Sequence, residues 1–135
     1  MTKMILVSLP VTDLGASVAF YKALGFAQNP QFSDDTAAYL VWSETIHAML
    51  LTQAKWRSFT DRPISPAGTS QVMLALSLDS REAVDRMNQA AAEHGGQADV
   101  NPVQDHGAMY GRDLADPDGH LWGALWMDPA AMPAT

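Results

Sequence analysis

The strongest constraint on the fold is an internal repeat that spans about half of the chain. Residues 9–12 (LPVT) and 76–79 (LSLD) of the 135-residue sequence end two similar apolar runs, at an offset of 76 − 9 = 67 residues. Each run precedes a segment with apolar residues at helical spacing, and three short strand-like runs follow that segment. A repeat of this length indicates the duplication of one supersecondary unit. We therefore predict two consecutive β-α-β-β-β units and an α+β fold.

The first unit is expected over about residues 4–52. Thr12 and Asp13 offer an N-cap for its helix, and Gly25 is the expected helix end. Alternating and β-branched residues, with turn residues between them, predict four strands. These strands are expected at residues 4–11, 28–33, 36–42 and 46–52.

The second unit is expected over about residues 70–128. Asp79 is the predicted N-cap of its helix, and residues 94–96 (HGG) are the predicted end. The helix has an apolar stripe of Val84, Met87 and Ala91. Strands are expected at residues 70–78, 97–103, 109–114 and 120–127.

Residues 53–69 link the two units. The segment contains Trp56, Phe59 and two prolines, and its pattern predicts neither a helix nor a strand. Long ordered loops in small domains often act as lids over a binding site, in which case Trp56 would contact the ligand. The alternative is a connector whose aromatic side chains pack on the outer surface.

Composition indicates one soluble domain and excludes several classes of partner. Eight Lys and Arg against fifteen Asp and Glu give a formal charge of −7, and basic residues form no stripe. Nucleic acid and an anionic membrane surface are therefore poor partners, whereas a cationic or neutral amphipathic small molecule is compatible with this charge. No apolar run approaches the ~18 residues that a membrane span requires.

The chain has no cysteine, so disulfides, thiolate metal sites and cysteine nucleophiles are excluded. The sequence also contains no nucleophile elbow, phosphate-binding glycine loop or dinucleotide fingerprint. We expect a cytoplasmic protein that carries no cofactor.

Short motifs at the start and end of the chain resemble those of a known superfamily. Residues 9–14 (LPVTDL), 17–21 (SVAFY), 24–26 (LGF) and 116–122 (DPDGHLW) are similar to motifs of the vicinal oxygen chelate superfamily, which includes glyoxalases, bleomycin resistance proteins and extradiol dioxygenases. The resemblance covers residues 4–128. It implies that the two units form a cup-shaped open β-barrel, with helices on the convex side and a ligand on the concave side.

Enzymes of this superfamily usually hold a divalent metal ion with His, Gln or Glu side chains from four strands. The resemblance places these positions at Leu6, Met73, Gly123 and either Met49 or Leu50, an alternative that the sequence leaves open. Such ions need oxygen or imidazole donors, which these residues do not supply. We therefore expect no metal, and we expect these five residues, together with Ser8 on the face of Leu6, to line a ligand site.

His47 and Tyr110 are the candidates for acid–base chemistry. His47 lies on the concave face if Met49 is the fourth position, and on the convex face if Leu50 is. Tyr110 is placed by the same alternation, which a single bulge would reverse.

The sequence thus predicts a small-molecule-binding protein of this fold, forming a homodimer as single-domain members commonly do. The alternative is a glyoxalase-like lyase or dioxygenase-type enzyme, with a relocated metal or with metal-free acid–base chemistry.

Overall fold

The first half of the chain forms a four-stranded sheet with two helices. The computed structural model describes residues 2–131. In the first unit the strands follow the order β1-β4-β3-β2, and β1 and β4 are parallel. Its elements are β1 (Ile5–Val11), α1 (Leu14–Leu24), β2 (Ala27–Asn29), β3 (Ala37–Val41), β4 (Ile46–Thr52) and α2 (Gln53–Phe59). Strand β2 is shorter than predicted because Pro30 begins a 3₁₀ turn, Pro30–Phe32.

The second half repeats this topology. Its sheet has the order β5-β8-β7-β6, with β5 and β8 parallel. The elements are β5 (Met73–Ser77), α3 (Arg81–Glu93), β6 (Gln104–Asp105), β7 (Met109–Ala115) and β8 (Leu121–Met127), followed by a 3₁₀ turn at Pro129–Ala131. The division between the two compact units falls between Ala67 and Gly68. The duplicated β-α-β-β-β organisation and the α+β class are confirmed.

Helix α1 begins and ends where the sequence predicts. The Asp13 side chain accepts a hydrogen bond of 3.0 Å from the Ala16 N–H, and Gly25 follows the last turn with a φ of 119°. The helix buries Phe20, Tyr21 and Leu24. These three side chains belong to the core between α1 and its sheet.

Helix α3 buries its predicted apolar stripe, Val84, Met87 and Ala91, but the predicted N-cap is wrong by one residue. Ser80, rather than Asp79, adopts the extended conformation and accepts a 3.0 Å hydrogen bond from the Ala83 N–H. Two adjacent residues with capping side chains make this choice ambiguous in the sequence.

The strand predicted at residues 97–103 is wrong. Gln97 forms only an isolated bridge to Ala115, and the paired strand β6 lies further along the chain, after the predicted segment. Asp99 has a φ of 48°, in the left-handed region, and Pro102 has no N–H to donate to a ladder. These two residues interrupt a regular ladder, and between them the Val100 N–H donates a hydrogen bond of 3.0 Å to the Asp113 carbonyl of β7.

The expectation that residues 53–69 contain no regular element is also wrong. Helix α2 follows β4 directly, and the Thr52 hydroxyl accepts a hydrogen bond of 3.2 Å from the Lys55 N–H. The helix has fewer than two full turns after its cap, too few for an apolar period to be visible.

Within the described part of the chain, no helix combines the length and hydropathy of a membrane span.

Candidate functional site

The face of the second sheet that carries Gly123 has an open cavity of about 240 Å³. Pairing places Gly123 beside Ala75 on one side and Asp113 on the other, so these residues share a face. The cavity is lined mainly by apolar and small side chains: Met73, Ala75, Gln104, Met109, Gly111, Asp113, Gly123, Ala124 and Leu125. Two of the predicted ligand-binding residues, Met73 and Gly123, therefore lie in one cavity.

Two glycines keep this cavity open. Neither Gly111 nor Gly123 has a positive φ, so the backbone does not require glycine at these positions. A Cβ atom at Gly123 would lie 3.1 Å from the Asp113 Oδ1 and 3.4 Å from the Ala75 Cβ. A Cβ at Gly111 would make only ordinary contacts, the nearest at 3.5 Å. The absence of a side chain at Gly123 thus provides space beside the Asp113 carboxylate.

Asp113 is the one acidic side chain among the residues that line the cavity, and the sequence analysis missed it. The Asn101 amide donates a hydrogen bond of 2.9 Å to Asp113 Oδ2, while Oδ1 lies over Gly123. The signal was present in the alternation of β7, but the pairing of Asp113 with Gly123 depends on a register that the sequence does not fix.

Tyr110 lies on the opposite face of the second sheet, which corrects its assignment to acid–base chemistry on the open face. Its hydroxyl donates a hydrogen bond of 2.6 Å to Asp85 of α3, and the Arg81 guanidinium stacks on its ring, 4.9 Å from the centroid. The hydrogen bond to Asp85, followed by burial, raises the pKa of Tyr110. A phenol whose proton is held in this way is a poor general base.

Strand register in the first unit decides between Met49 and Leu50. Ser8 pairs with Met49 in β1 and β4, as Ala75 pairs with Gly123 in the second unit, so Met49 is the counterpart of Gly123. Leu50 faces the other way and is fully buried in the core. The expectation that Leu50 lines the open face is therefore wrong, whereas Leu6, Ser8 and Met49 share that face.

His47 pairs with Leu6 and therefore also lies on the open face of the first sheet. A hydrogen bond joins its Nδ1 to the Tyr39 hydroxyl, and its Nε2–H donates to the Glu44 carbonyl at 3.1 Å. Because a carbonyl oxygen only accepts, the contact with Glu44 places a proton on Nε2. Tyr39 occupies the position in β3 that Asp113 occupies in β7, and the sequence analysis did not single it out.

Trp56 lies in α2 and is partly buried. Its indole Nε1 is shielded from solvent and has no hydrogen-bond partner among residues 2–131. Phe59 of the same helix is 68% exposed, with the Lys55 ammonium 5.3 Å from its ring centroid. Of the two aromatic side chains of this segment, Phe59 therefore faces solvent, whereas the polar end of Trp56 is buried.

The residues at the four positions of the expected metal site do not fit a divalent cation. Leu6, Met49, Met73 and Gly123 offer no oxygen or imidazole donor. Elsewhere in residues 2–131, no three His, Cys, Asp or Glu side chains are grouped closely enough to hold a metal ion. The site chemistry available is that of a carboxylate, amides and thioethers around a cavity.

A comparison with known protein families identifies one family that matches this chain. The family model of the Glyoxalase/Bleomycin resistance protein/Dioxygenase superfamily matches residues 3–123. No curated protein matches the chain.

Three solved structures illustrate the similarity of fold. The hypothetical protein SA1046 from S. aureus is 27% identical, with 93% of this chain and 95% of that chain covered and a TM-score of 0.77. Fosfomycin resistance protein FosX from Mesorhizobium loti is 11% identical, with 96% of each chain covered and a TM-score of 0.68. Lactoylglutathione lyase from Agrobacterium tumefaciens is 15% identical, with 98% of each chain covered and a TM-score of 0.67.

Proposed function

Since the chain belongs to the Glyoxalase/Bleomycin resistance protein/Dioxygenase superfamily, we propose that it is a small-molecule-binding protein of this fold in which the usual metal-ligand positions have been lost. The ligand is an amphipathic small molecule, held without a cofactor. We also propose a cytoplasmic location.

The observation that carries this proposal is the cavity of the second unit. Met73, Met109 and Leu125 supply an apolar wall, and Gln104 and Asp113 supply polar groups at its edge. Concave sites with an apolar lining and a few polar groups are typical of small-molecule sites, and methionine adapts to varied ligand shapes. One relative by fold is named as a resistance protein for the small molecule fosfomycin.

Benzyl alcohol, a small amphipathic probe, tests the proposal when added to protein labelled with ¹³C at the methionine methyl groups. We expect concentration-dependent shifts of the Met73 and Met109 signals, which are assigned by Met→Leu variants. Gly111→Phe places a ring in the cavity and should abolish the shifts by filling the space that the probe needs. The variant should still fold, because a Cβ at Gly111 meets its neighbours at ordinary contact distances.

Val103→Phe is the matched control, since Val103 is an exposed apolar residue of the same unit that does not line the cavity. Thermal melts check that both variants fold. Unchanged methionine signals at saturating probe, or shifts that persist in Gly111→Phe, would contradict the proposal.

A second candidate function is supported by the contact between Tyr39 and His47. A histidine that is hydrogen-bonded to a phenol can relay a proton to or from a bound molecule through Tyr39. Such chemistry corresponds to a glyoxalase-like lyase or dioxygenase-type enzyme, and one relative by fold is named lactoylglutathione lyase.

Assays for lyase and dioxygenase activity, with and without nickel, zinc, manganese or iron, distinguish the two functions. Turnover that falls at least tenfold in Tyr39→Phe and in His47→Gln would favour the enzyme. Activity no higher than that of buffer in all samples would reject the enzyme and favour the binding function.

A further inference from the structure

The net charge of the chain is confined to its second half. Residues 1–67 contain five Lys or Arg and five Asp or Glu, whereas residues 68–135 contain three Arg, no Lys and ten Asp or Glu. The formal charges are therefore 5 − 5 = 0 and 3 − 10 = −7. A field of one sign raises the local concentration of ions of the opposite sign, so cations are drawn to the unit that contains the cavity.

Two of the three arginines of this unit form ion pairs with aspartates on the face that α3 covers. Arg112 bonds Asp85 at 2.9 Å and Asp99 at 2.6 Å, and Arg81 bonds Asp105 at 3.0 Å. The third arginine, Arg86, is exposed on α3. Three aspartates thus have cationic partners within the unit.

Asp113 differs from these aspartates because it points to the other face. Within residues 2–131 it forms no ion pair with a lysine or arginine, and its one side-chain hydrogen-bond partner is the neutral amide of Asn101. The Asn101 amide donates to Oδ2 and thereby fixes the carboxylate. The other oxygen, Oδ1, faces the space over Gly123. The carboxylate is therefore oriented, and it has no counter-charge among residues 2–131.

We propose that Asp113 makes this cavity selective for small organic cations, with a protonated amine beside Asp113 and the apolar part of the ligand against Met73 and Met109. The inference rests on the proposed binding function, to which it adds the charge of the ligand and the residue that selects it. Hydrogen bonds between an ammonium and a carboxylate are about twice as strong as neutral ones, and they are stronger again where apolar walls exclude water.

Three probes of similar size and different charge test the selectivity: benzylammonium, benzyl alcohol and benzoate. Titrations follow the methionine methyl signals of Met73 and Met109. Benzylammonium should bind about tenfold more tightly than benzyl alcohol, and benzoate should bind most weakly. Asp113→Asn should reduce the affinity for benzylammonium to that for benzyl alcohol and leave benzyl alcohol itself unchanged.

Glu93→Gln is the matched control for charge, because it removes one carboxylate from the exposed end of α3 in the same unit. It should retain the preference for benzylammonium. A pair of glycine variants provides the control for space. Gly123→Ala displaces the Asp113 carboxylate and should lose the preference, whereas Gly111→Ala takes up similar volume without touching Asp113 and should keep it.

Equal affinities of the wild-type protein for benzylammonium and benzyl alcohol, with no effect of Asp113→Asn, would overturn the selectivity and leave the proposed binding function standing. A loss of selectivity in Glu93→Gln as large as in Asp113→Asn would assign it to the overall field and overturn the role of Asp113. If none of the three probes shifted Met73 and Met109, both the selectivity and the binding function would be overturned.

Discussion

At the scale of single residues, Gly123 and its neighbour Asp113 determine what the second unit can hold. The resemblance places a metal-ligand position at Gly123, which has no side chain, and Asp113 pairs with it across the neighbouring strand. Leu6, Met49 and Met73, at the other positions expected from the resemblance, supply no oxygen or imidazole donor. The result is a single negative charge in an apolar cavity, which suits an organic cation better than a divalent metal.

Gly123→Glu should therefore fail to create a metal site and should destabilise the protein. The new carboxylate would lie against Asp113, because even a Cβ atom at position 123 is 3.1 Å from its Oδ1. Like charges and the loss of hydration should cost about 1–3 kcal/mol of unfolding free energy. Thermal melts of wild type and variant, with and without nickel, zinc, manganese or iron, measure both effects.

Gly123→Gln has nearly the same bulk without the charge, and it should be less destabilised than Gly123→Glu. A rise of several degrees in the melting temperature of Gly123→Glu on addition of metal, with wild type unmoved, would show that other ligands complete a site. The residue assignments at Leu6, Met49 and Met73 would then be wrong.

At the scale of the elements, the glycines of α1 have opposite roles. Gly15 lies in the first turn of the helix and is exposed, whereas Gly25 ends the helix with a φ of 119° and would place a Cβ 3.2 Å from the Trp42 ring. Gly15→Ala should stabilise the protein by about 0.5–1 kcal/mol, because alanine has the higher helix propensity. Gly25→Ala should destabilise it by about 1–2 kcal/mol through backbone strain. Urea unfolding of both variants gives the two signs, and equal effects would contradict this account of the helix end.

Helix α3 is attached to its sheet by ion pairs that respond to acid. Hydrogen bonds from Arg81 lower the pKa of Asp105 to about 2, those from Tyr110 and Arg112 lower the pKa of Asp85, and those from Arg112 lower the pKa of Asp99. Because the folded pKa values lie below the unfolded value of about 3.9, this stabilisation is complete above about pH 4 and is lost as the pH falls towards 2.

The urea midpoint should accordingly fall steeply between pH 4 and pH 2. Asp105→Asn removes one of the three carboxylates, so its midpoint should fall less over the same interval. A midpoint of the wild-type protein that stays constant from pH 4 to pH 2 would contradict a stabilising role of these pairs.

The elements that the sequence predicted well are those with local signals. Helix α1 has a capping aspartate and a terminal glycine, and both are confirmed. The errors occurred where the structure depends on distant partners. Strand β6 is positioned by its pairing with β7, and α2 is too short to show a period. Such elements are determined by tertiary contacts rather than by their own residues.

At the scale of the whole molecule, the repeat was visible in the sequence because it conserves an apolar pattern, and the structure gives both units the same strand order. The site was less predictable. Met73 and Gly123 were placed in it through the family resemblance, but Asp113 and Tyr39 become neighbours of the expected positions only once the strand register is known. The pattern of a single strand therefore does not predict which polar residues of the adjacent strands lie beside it.

We propose that the protein is a homodimer. Large apolar side chains are exposed on the edge strands of both sheets, with Ile5 and Leu6 in β1 and Met73 in β5 exposed by 55%, 44% and 71%. Exposed apolar surface of this kind is typical of sites of association. Light scattering at micromolar concentration should give about twice the chain mass of 14.6 kDa. A constant monomer mass over that range would contradict the dimer.

The most direct test of the central claim, binding of a small molecule in the cavity of the second unit, is a crystal structure of the protein soaked with benzylammonium. The account predicts electron density for the ring against Met73 and Met109, with the ammonium nitrogen within hydrogen-bond distance of an Asp113 carboxylate oxygen. An empty cavity at a concentration that saturates the protein in solution, or density for the probe only elsewhere on the protein, would contradict it.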